Sequence, residues 1–309
     1  MIKQVKSSVS VLTFLMSMLL PAICFAQTPD IPGVKIERGL AFASLGEKSL
    51  KLDLYRPANS SGTVPVVVLI YGGAWMMRGQ WMETAKAVWL ANHGYAAAVI
   101  DYRLSSEAQF PAQIYDCKAA VRWLRANAAK YRLDAARIGA WGESSGGHLA
   151  SLLGTAGNVE ALEGDEGNTN RSSQVEAVVD FFGPTDFLQM EAHVLPGSWL
   201  NHDSPTSPES RLIGGPIQNN PEKAEQANPI KYVTHDAPPF LIVHGEQDPL
   251  VPYNQSELLY TALKKAGANV TFYKIAGASH GGPAFDSDMM RAAVLAFLDQ
   301  YLRPHANKP

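Results

Sequence analysis

Two serines stand side by side between glycines in Gly142-Glu143-Ser144-Ser145-Gly146. The strand-like run ARIGAW precedes them and the helix-like run SGGHLASLLG follows. G-x-S-x-G in that setting is the pattern of a nucleophile elbow, a sharp strand-to-helix turn that lifts one serine hydroxyl above a sheet. Gly142 and Gly146 relieve the crowding of such a turn, and Ser144 is the serine its position selects. A serine hydroxyl is a weak nucleophile at neutral pH and needs a base to take its proton. Gly and Ser also make ordinary tight loops. The pattern therefore carries weight only if the rest of the chain supplies a base, an acid and oxyanion donors.

His280, in AGASHGG, is the candidate base, because an imidazole titrates near neutrality. Asp248, in HGEQDPLVP, is the candidate that holds the ring in one tautomer and stabilises the imidazolium. The chain order is then Ser, Asp, His, as in nucleophile-elbow hydrolases. Of the eight histidines only His280 and His305 follow Asp248, and His305 sits in a polar tail. His148 and His244 read as structural. Asp186, in GPTDF, is a rival acid, but it precedes a long insertion. Backbone N–H groups of Ser145, Gly72 and Gly73 are the candidate oxyanion donors.

These residues need a frame. IERGLAFAS and SLKLDLY bracket Gly46 and read as an antiparallel hairpin. VPVVVLIYGG, YAAAVIDYR, ARIGAW, VEAVVDFFG, PFLIVHG and NVTFYKI read as strands. Helical spacing falls at 81–92, from Pro111 to about Lys130, after Ser145, and at 254–266 and 286–302. Strands alternating with helices predict an α/β fold with a mostly parallel sheet and helices on both faces. Ligands of such sheets bind outside the carboxyl ends of the strands. YGGAW, Ser144, Asp248 and His280 all follow predicted strands, so they gather on one edge.

With 46% hydrophobic and 18% charged residues among 309, the chain has the composition of a globular domain. A formal net charge of -3 gives no reason to expect nucleic acid as a partner. No Cys/His cluster or dinucleotide fingerprint appears, so neither metal nor cofactor is expected. EALEGDEG, from Glu160 to Gly167, lacks the ligand spacing of a calcium loop and reads as a solvated surface loop. Asp101 and Arg103 in DYR read as a structural polar network. Cys117 lies on the apolar side of its helix and reads as a buried, inert thiol. Lys3 and Lys6, an apolar run and AICFAQ make residues 1–26 a signal peptide cleaved after Ala26. The expected locations are periplasmic or secreted, with no stable membrane association after cleavage.

YGGAW, DYRLS, DCKAAVRWLRANA, RIGAWGESSGGHLA, DFFGPTDF, SPESRLIGG, HGEQDPLVP and ASHGG together resemble an α/β-hydrolase over roughly residues 34–303. The resemblance is to secreted esterases near the hormone-sensitive-lipase-like and the bifunctional acetylxylan and feruloyl esterase-like groups. It implies a serine ester hydrolase acting through an acyl-enzyme on short-chain or carbohydrate-linked acetyl or feruloyl esters. An amidase of the arylformamidase type shares the tetrahedral intermediate. A non-catalytic binding protein would not need all of Ser144, Asp248 and His280. The oxyanion motif of the family usually begins with His, where this chain has Tyr71. By position and resemblance, about 187–231 forms a small cap within one hydrolase domain, 27–309. Tyr71, Trp75, Trp81 and Trp199 can stack on a sugar or an aromatic acyl group, or they can be packing. The same two readings hold for Met190 and Leu195 in the cap.

Overall fold

The computed structural model describes residues 31–198 and 200–303. The backbone divides into Met1–Ile31 and Pro32–Pro309, and every element below lies in the second unit. The predicted signal peptide and His305 fall outside the described residues, as does Trp199.

The element order is β1 (Val34–Leu45), β2 (Lys48–Pro57), β3 (Val64–Ile70), α1 (Thr84–Asn92), β4 (Ala96–Ile100), α2 (Ala112–Ala126) and α3 (Ala128–Tyr131). Next come β5 (Leu133–Glu143), α4 (Ser145–Thr155), β6 (Val178–Phe181), α5 (Pro208–Ile213) and α6 (Pro221–Gln226). The chain closes with β7 (Phe240–Gly245), α7 (Asn254–Ala266), β8 (Val270–Ile275) and α8 (Asp288–Leu302). One sheet of eight strands runs β1-β2-β4-β3-β5-β6-β7-β8. β1 and β2 pair antiparallel, as the hairpin predicted, and β2 joins β4 antiparallel. All pairs from β4 to β8 are parallel. This is the α/β-hydrolase fold.

Every residue of β3, β4, β6 and β7 is buried. Helices cover both faces of a parallel sheet, so its strands read as unbroken apolar runs. β8, at the edge, alternates half-buried and exposed residues instead.

Two regions depart from the sequence reading, and a third decides between its alternatives. The helix expected from Pro111 to Lys130 breaks at Asn127, whose side-chain amide and backbone N–H both donate to the Trp123 carbonyl at 2.9 Å. An asparagine amide that competes for a helix carbonyl favours an end there. The acidic stretch 160–167 is not simply solvated. Glu163 accepts from Lys118 at 2.6 Å and from Arg122 at 3.2 Å, and Glu166 accepts from Arg103 at 2.8 Å. α2 buries the ends of Lys118 and Arg122, and a buried charge needs a counter-ion, so the loop folds down onto that helix. Between β6 and β7, the segment expected as a cap holds single turns and two six-residue helices. Its apolar side chains Phe187, Met190, Leu212, Ile213 and Ile217 join the core of the sheet. Met190 is therefore packing. Cys117 is buried and unpaired on α2, and burial pushes its thiol up.

Candidate active site

β5 delivers the chain to Ser144 and α4 leaves from Ser145. Ser144 sits at φ 54° and ψ -123°, a strained conformation for a residue with a Cβ. The flanking glycines are obligatory. A Cβ on Gly142 would stand 2.0 Å from the Gly146 carbonyl oxygen, and one on Gly146 would stand 2.0 Å from that of Ile70. The turn thus presses β3, β5 and α4 together and leaves Ser144 Oγ raised.

Ser144 Oγ lies 3.0 Å from His280 Nε2, and His280 Nδ1 lies 2.6 Å from Asp248 Oδ2. Facing a carboxylate, Nδ1 carries the proton, which leaves Nε2 to accept from the serine hydroxyl. Asp248 Oδ1 accepts from the backbone N–H groups of Leu250 at 2.8 Å and Val251 at 2.9 Å. Burial alone would raise the Asp248 carboxyl. Hydrogen bonds from His244 and His280 outweigh that and hold it well below the usual carboxylate range. Phe182, itself at φ 45°, packs its ring 4.6 Å from that of His280.

Asp186 is not brought to His280. It caps the turn 187–189, accepting from Leu188 N at 3.2 Å and Gln189 Nε2 at 2.5 Å. Its place at the first bend after β6 makes it a cap.

On the other side of Ser144, Ser145 is the first residue of α4, where a helix amide has no intrahelical acceptor. Gly72 backs onto the elbow: a Cβ there would meet Glu143 O at 3.0 Å and Ser144 Cβ at 3.2 Å. Gly73 takes φ 131°, and its carbonyl accepts from Met76 and Met77 N–H at 2.9 and 3.0 Å. Ala74 and Trp75 follow at φ 55° and 56°, two consecutive left-handed residues that no sequence signal announces. Tyr71 braces this loop from beneath. Its ring stacks on Tyr102 at 4.5 Å, its hydroxyl donates to Asp101 at 3.2 Å, and Tyr102 Oη donates to the Tyr71 carbonyl at 3.1 Å. Arg78 pairs with Asp101 and donates to Glu107 at 2.9 Å. The single polar network expected of Asp101 and Arg103 is two clusters: Asp101 pairs with Tyr71 and Arg78, whereas Arg103 pairs with Asp116 and Glu166.

A cavity of about 600 Å³ opens at Ser144 and His280. Trp75 is among the residues around it, although its side chain is almost wholly buried. Tyr71 does not lie there. It is fully buried behind the loop, so the expectation that it stacks on substrate gives way to a bracing role. Trp81 is strongly exposed and does not line the cavity.

Residues 52–263 match the BD-FAE family model. The chain belongs to the BD-FAE family. A second model, described as TAP-like protein, matches residues 218–309. A truncated carbohydrate esterase from gut microbiota superposes with a TM-score of 0.79 at 34% identity, over 86% of this chain and 95% of that one. The butyrate-bound esterase Est2 of Thermogutta terrifontis superposes with a TM-score of 0.69 at 26% identity, over 90% and 98%. Esterase LipQ of Mycobacterium tuberculosis is 34% identical over 284 residues, 88% of this chain and 62% of LipQ. The chain thus spans about half to just under two thirds of the curated relatives it matches.

Two other histidines stand around the site of this BD-FAE chain. His244 is structural, as read, but it acts on Asp248. Its Nε2 lies 3.1 Å from Asp248 Oδ2 and 3.0 Å from the Val251 carbonyl, and its Nδ1 lies 2.7 Å from Ser256 Oγ. Both partners of Nε2 are acceptors, so that nitrogen carries the proton and the Ser256 hydroxyl donates to Nδ1. The signal for this role was a strand-end histidine four residues before the acid. His148 is fully buried, with Nε2 2.7 Å from the Ala227 carbonyl and its ring 5.2 Å from that of Trp75. Burial pushes its pKa down to about 4.

Proposed function

We propose that this chain is a serine carboxylic ester hydrolase that works through an acyl-enzyme at Ser144. The observation that carries the reading is the continuous line from Ser144 Oγ to His280 at 3.0 Å and on to Asp248 at 2.6 Å, at the mouth of one cavity. Ser144 Oγ attacks the ester carbonyl carbon while His280 Nε2 takes its proton. Asp248 stabilises the imidazolium that forms. The N–H groups of Ser145, Gly72 and Gly73 receive the oxyanion. As the tetrahedral intermediate collapses, His280 returns the proton to the departing alcohol. Water then repeats the cycle against the acyl-enzyme and releases the acid.

The substrates in this reading are short-chain esters and acetyl or feruloyl esters of carbohydrate. A cavity of this size walled by Trp75 and Leu250 takes short acyl groups readily, and further methylenes are compressed or forced out. Similarity to a carbohydrate esterase and to a butyrate-bound esterase supports the same substrate class. The apolar leader at residues 1–26 supports export.

A fluorophosphonate probe tests the nucleophile. It labels the wild type at Ser144, and Ser144→Ala abolishes labelling and lowers kcat/KM for 4-nitrophenyl acetate by about 10⁴-fold or more, with the fold retained. Labelling that survives the substitution overturns the assignment. On a series of 4-nitrophenyl esters, kcat/KM falls steeply beyond about eight acyl carbons. A preference for N-formylkynurenine over every ester moves the chain to the amidase reading.

A further inference from the structure

His280 stands on a loop that restrains it little. Gly281 and Gly282 follow it directly, at φ 81° and 100°. Two hydrogen bonds hold its ring, one from Nδ1 to Asp248 and one at Nε2 from Ser144. Only the first persists through the cycle. Once Ser144 Oγ carries the acyl group, it has no proton left to donate. A single hydrogen bond fixes a distance and leaves the ring free to swing about it. The water that attacks the acyl-enzyme must still find Nε2 in place.

Phe182 places an aromatic ring beside His280, with 4.6 Å between centroids and 56° between planes. It is buried and does not line the cavity. Its φ of 45° is costly for a residue with a Cβ, and filling a core does not require it. The bend of residues 180–183 imposes it. The Phe182 N–H donates to the Val243 carbonyl at 2.8 Å. Asp180 Oδ1 accepts from the Gly183 N–H at 2.9 Å, and Asp180 Oδ2 accepts from Ser151 of α4 at 2.7 Å. Gly183 is wedged in turn: a Cβ there would stand 2.6 Å from Asp180 Oδ1 and 2.6 Å from the His148 backbone nitrogen. Phe285 meets the Phe182 ring nearly at right angles, 4.8 Å away, which further limits its movement.

We infer that Phe182 is a positioning residue for the base: anchored through Asp180, it keeps the His280 ring in place in the acyl-enzyme, when Ser144 no longer does. The inference rests on the ester hydrolase reading and assigns the support of its second half-reaction. In that step the water oxygen bonds to the acyl carbon and gives a proton to His280 Nε2. The bond between Ser144 Oγ and the acyl carbon then breaks, and Nε2 returns the proton to Oγ. Acylation starts with the Ser144 hydrogen bond intact and depends less on Phe182.

Phe182→Met fills similar space without a rigid ring. Stopped-flow release of 4-nitrophenolate from 4-nitrophenyl acetate separates the half-reactions: the burst reports acylation and the steady rate reports deacylation. Both are expressed per site titrated with a fluorophosphonate, so unfolded protein is not counted. The variant accumulates acetyl-enzyme, with a burst of about one equivalent per site. Its deacylation slows by about 10- to 100-fold, the cost of a misplaced catalytic group, and its acylation by only a few-fold. Asp180→Ala, which frees the Gly183 N–H, shares the defect. Asp180→Asn keeps an acceptor there and recovers most of it; an Asn variant as slow as the Ala variant overturns the anchoring. Unchanged rates in Phe182→Met, or two steps slowed alike, overturn the inference and leave the hydrolase reading standing. A wild type that neither labels nor turns over overturns both. A crystal of the fluorophosphonate-labelled wild type needs no variant, because its Ser144 Oγ is blocked as in the acyl-enzyme. A His280 ring still on Asp248 and against Phe182 supports the inference, and a ring swung away from Phe182 overturns it.

Discussion

On the sheet side of the cavity, Ser144, Ala74 and Trp75 stand at φ values of 54°, 55° and 56°, locked by glycines that cannot accept one more carbon. On the cap side, α5 and α6 have six residues each, too few to persist alone. They hold their place because Leu212, Ile213 and Ala224 are buried in the common core. One wall is a backbone device and the other a packing device. Strain on the first wall is maintained by the parallel strands behind it and positions reacting atoms. The second is held by side chains that tolerate exchange, and it brings Leu200, Thr206, Pro208 and Arg211 to the cavity. A substitution on the first wall should therefore cost chemistry, and one on the second should cost stability or preference.

The strongest way to break this contrast is Gly146→Ala. The new Cβ would lie 2.0 Å from the Ile70 carbonyl oxygen, which is strand backbone and cannot yield. Expected are a loss of 10³-fold or more in kcat/KM for an aryl acetate and a stability loss of about 3 kcal/mol by urea denaturation. Its counterpart, Ile217→Val in the cap, should cost about 1 kcal/mol and leave the rate within a few-fold. Near-normal activity in Gly146→Ala would end the distinction.

A second test extends the sheet-side wall one layer deeper. His244→Phe removes the Nε2–H that Asp248 Oδ2 shares with His280, and kcat/KM should fall by about 10- to 100-fold. His244→Gln can place an amide N–H near the same point and should recover most of the loss. Equal losses in both would mean that ring volume matters and the donor does not.

A third test, on stability and not on rate, lies where the walls meet. His148 contacts Trp75 on one side and Phe187 and the Ala227 carbonyl on the other. Its pKa is lowered by burial to about 4, so between pH 6.5 and 4 the unfolded chain takes up a proton that the folded chain refuses. The sign is that stability is full above about pH 6.5 and declines as pH falls, by up to about 3 kcal/mol near pH 4. His148→Gln keeps a donor for Ala227 and cannot titrate. Its urea-denaturation free energy should fall less than that of the wild type between pH 7 and 4.5. Other groups are common to both proteins and cancel in the difference. Parallel slopes would show that His148 is charged or open to solvent.

The sheet was readable because each parallel strand is an apolar run ended by Gly or a polar loop, and β3, β4, β6 and β7 are buried throughout. The elbow was readable for a related reason: its glycines are demanded by close backbone approach, and Gly has no substitute there. The sequence left Tyr71 open between contact with substrate and packing, because a loop aromatic looks alike whether it faces a cavity or, as here, stacks on Tyr102 beneath it. The acidic stretch 160–167 was misread in part. Its spacing does not disclose that Lys118 and Arg122 of α2 lie buried under it.

Local order along the chain determined the fold class, the strand-end positions of Ser144, Asp248 and His280, and the glycines of the elbow and of the oxyanion loop. Each of these depends on short-range patterns: hydrophobic period, loop boundaries and steric room. Tertiary structure alone decided that Ser144 and His280, separated by 136 positions, meet at 3.0 Å. It also decided that His244 shares the oxygen of Asp248 with His280. Hydrogen bonds demand donor and acceptor within a few tenths of an ångström, and that precision comes from the packing of whole elements, which residue type and spacing do not encode.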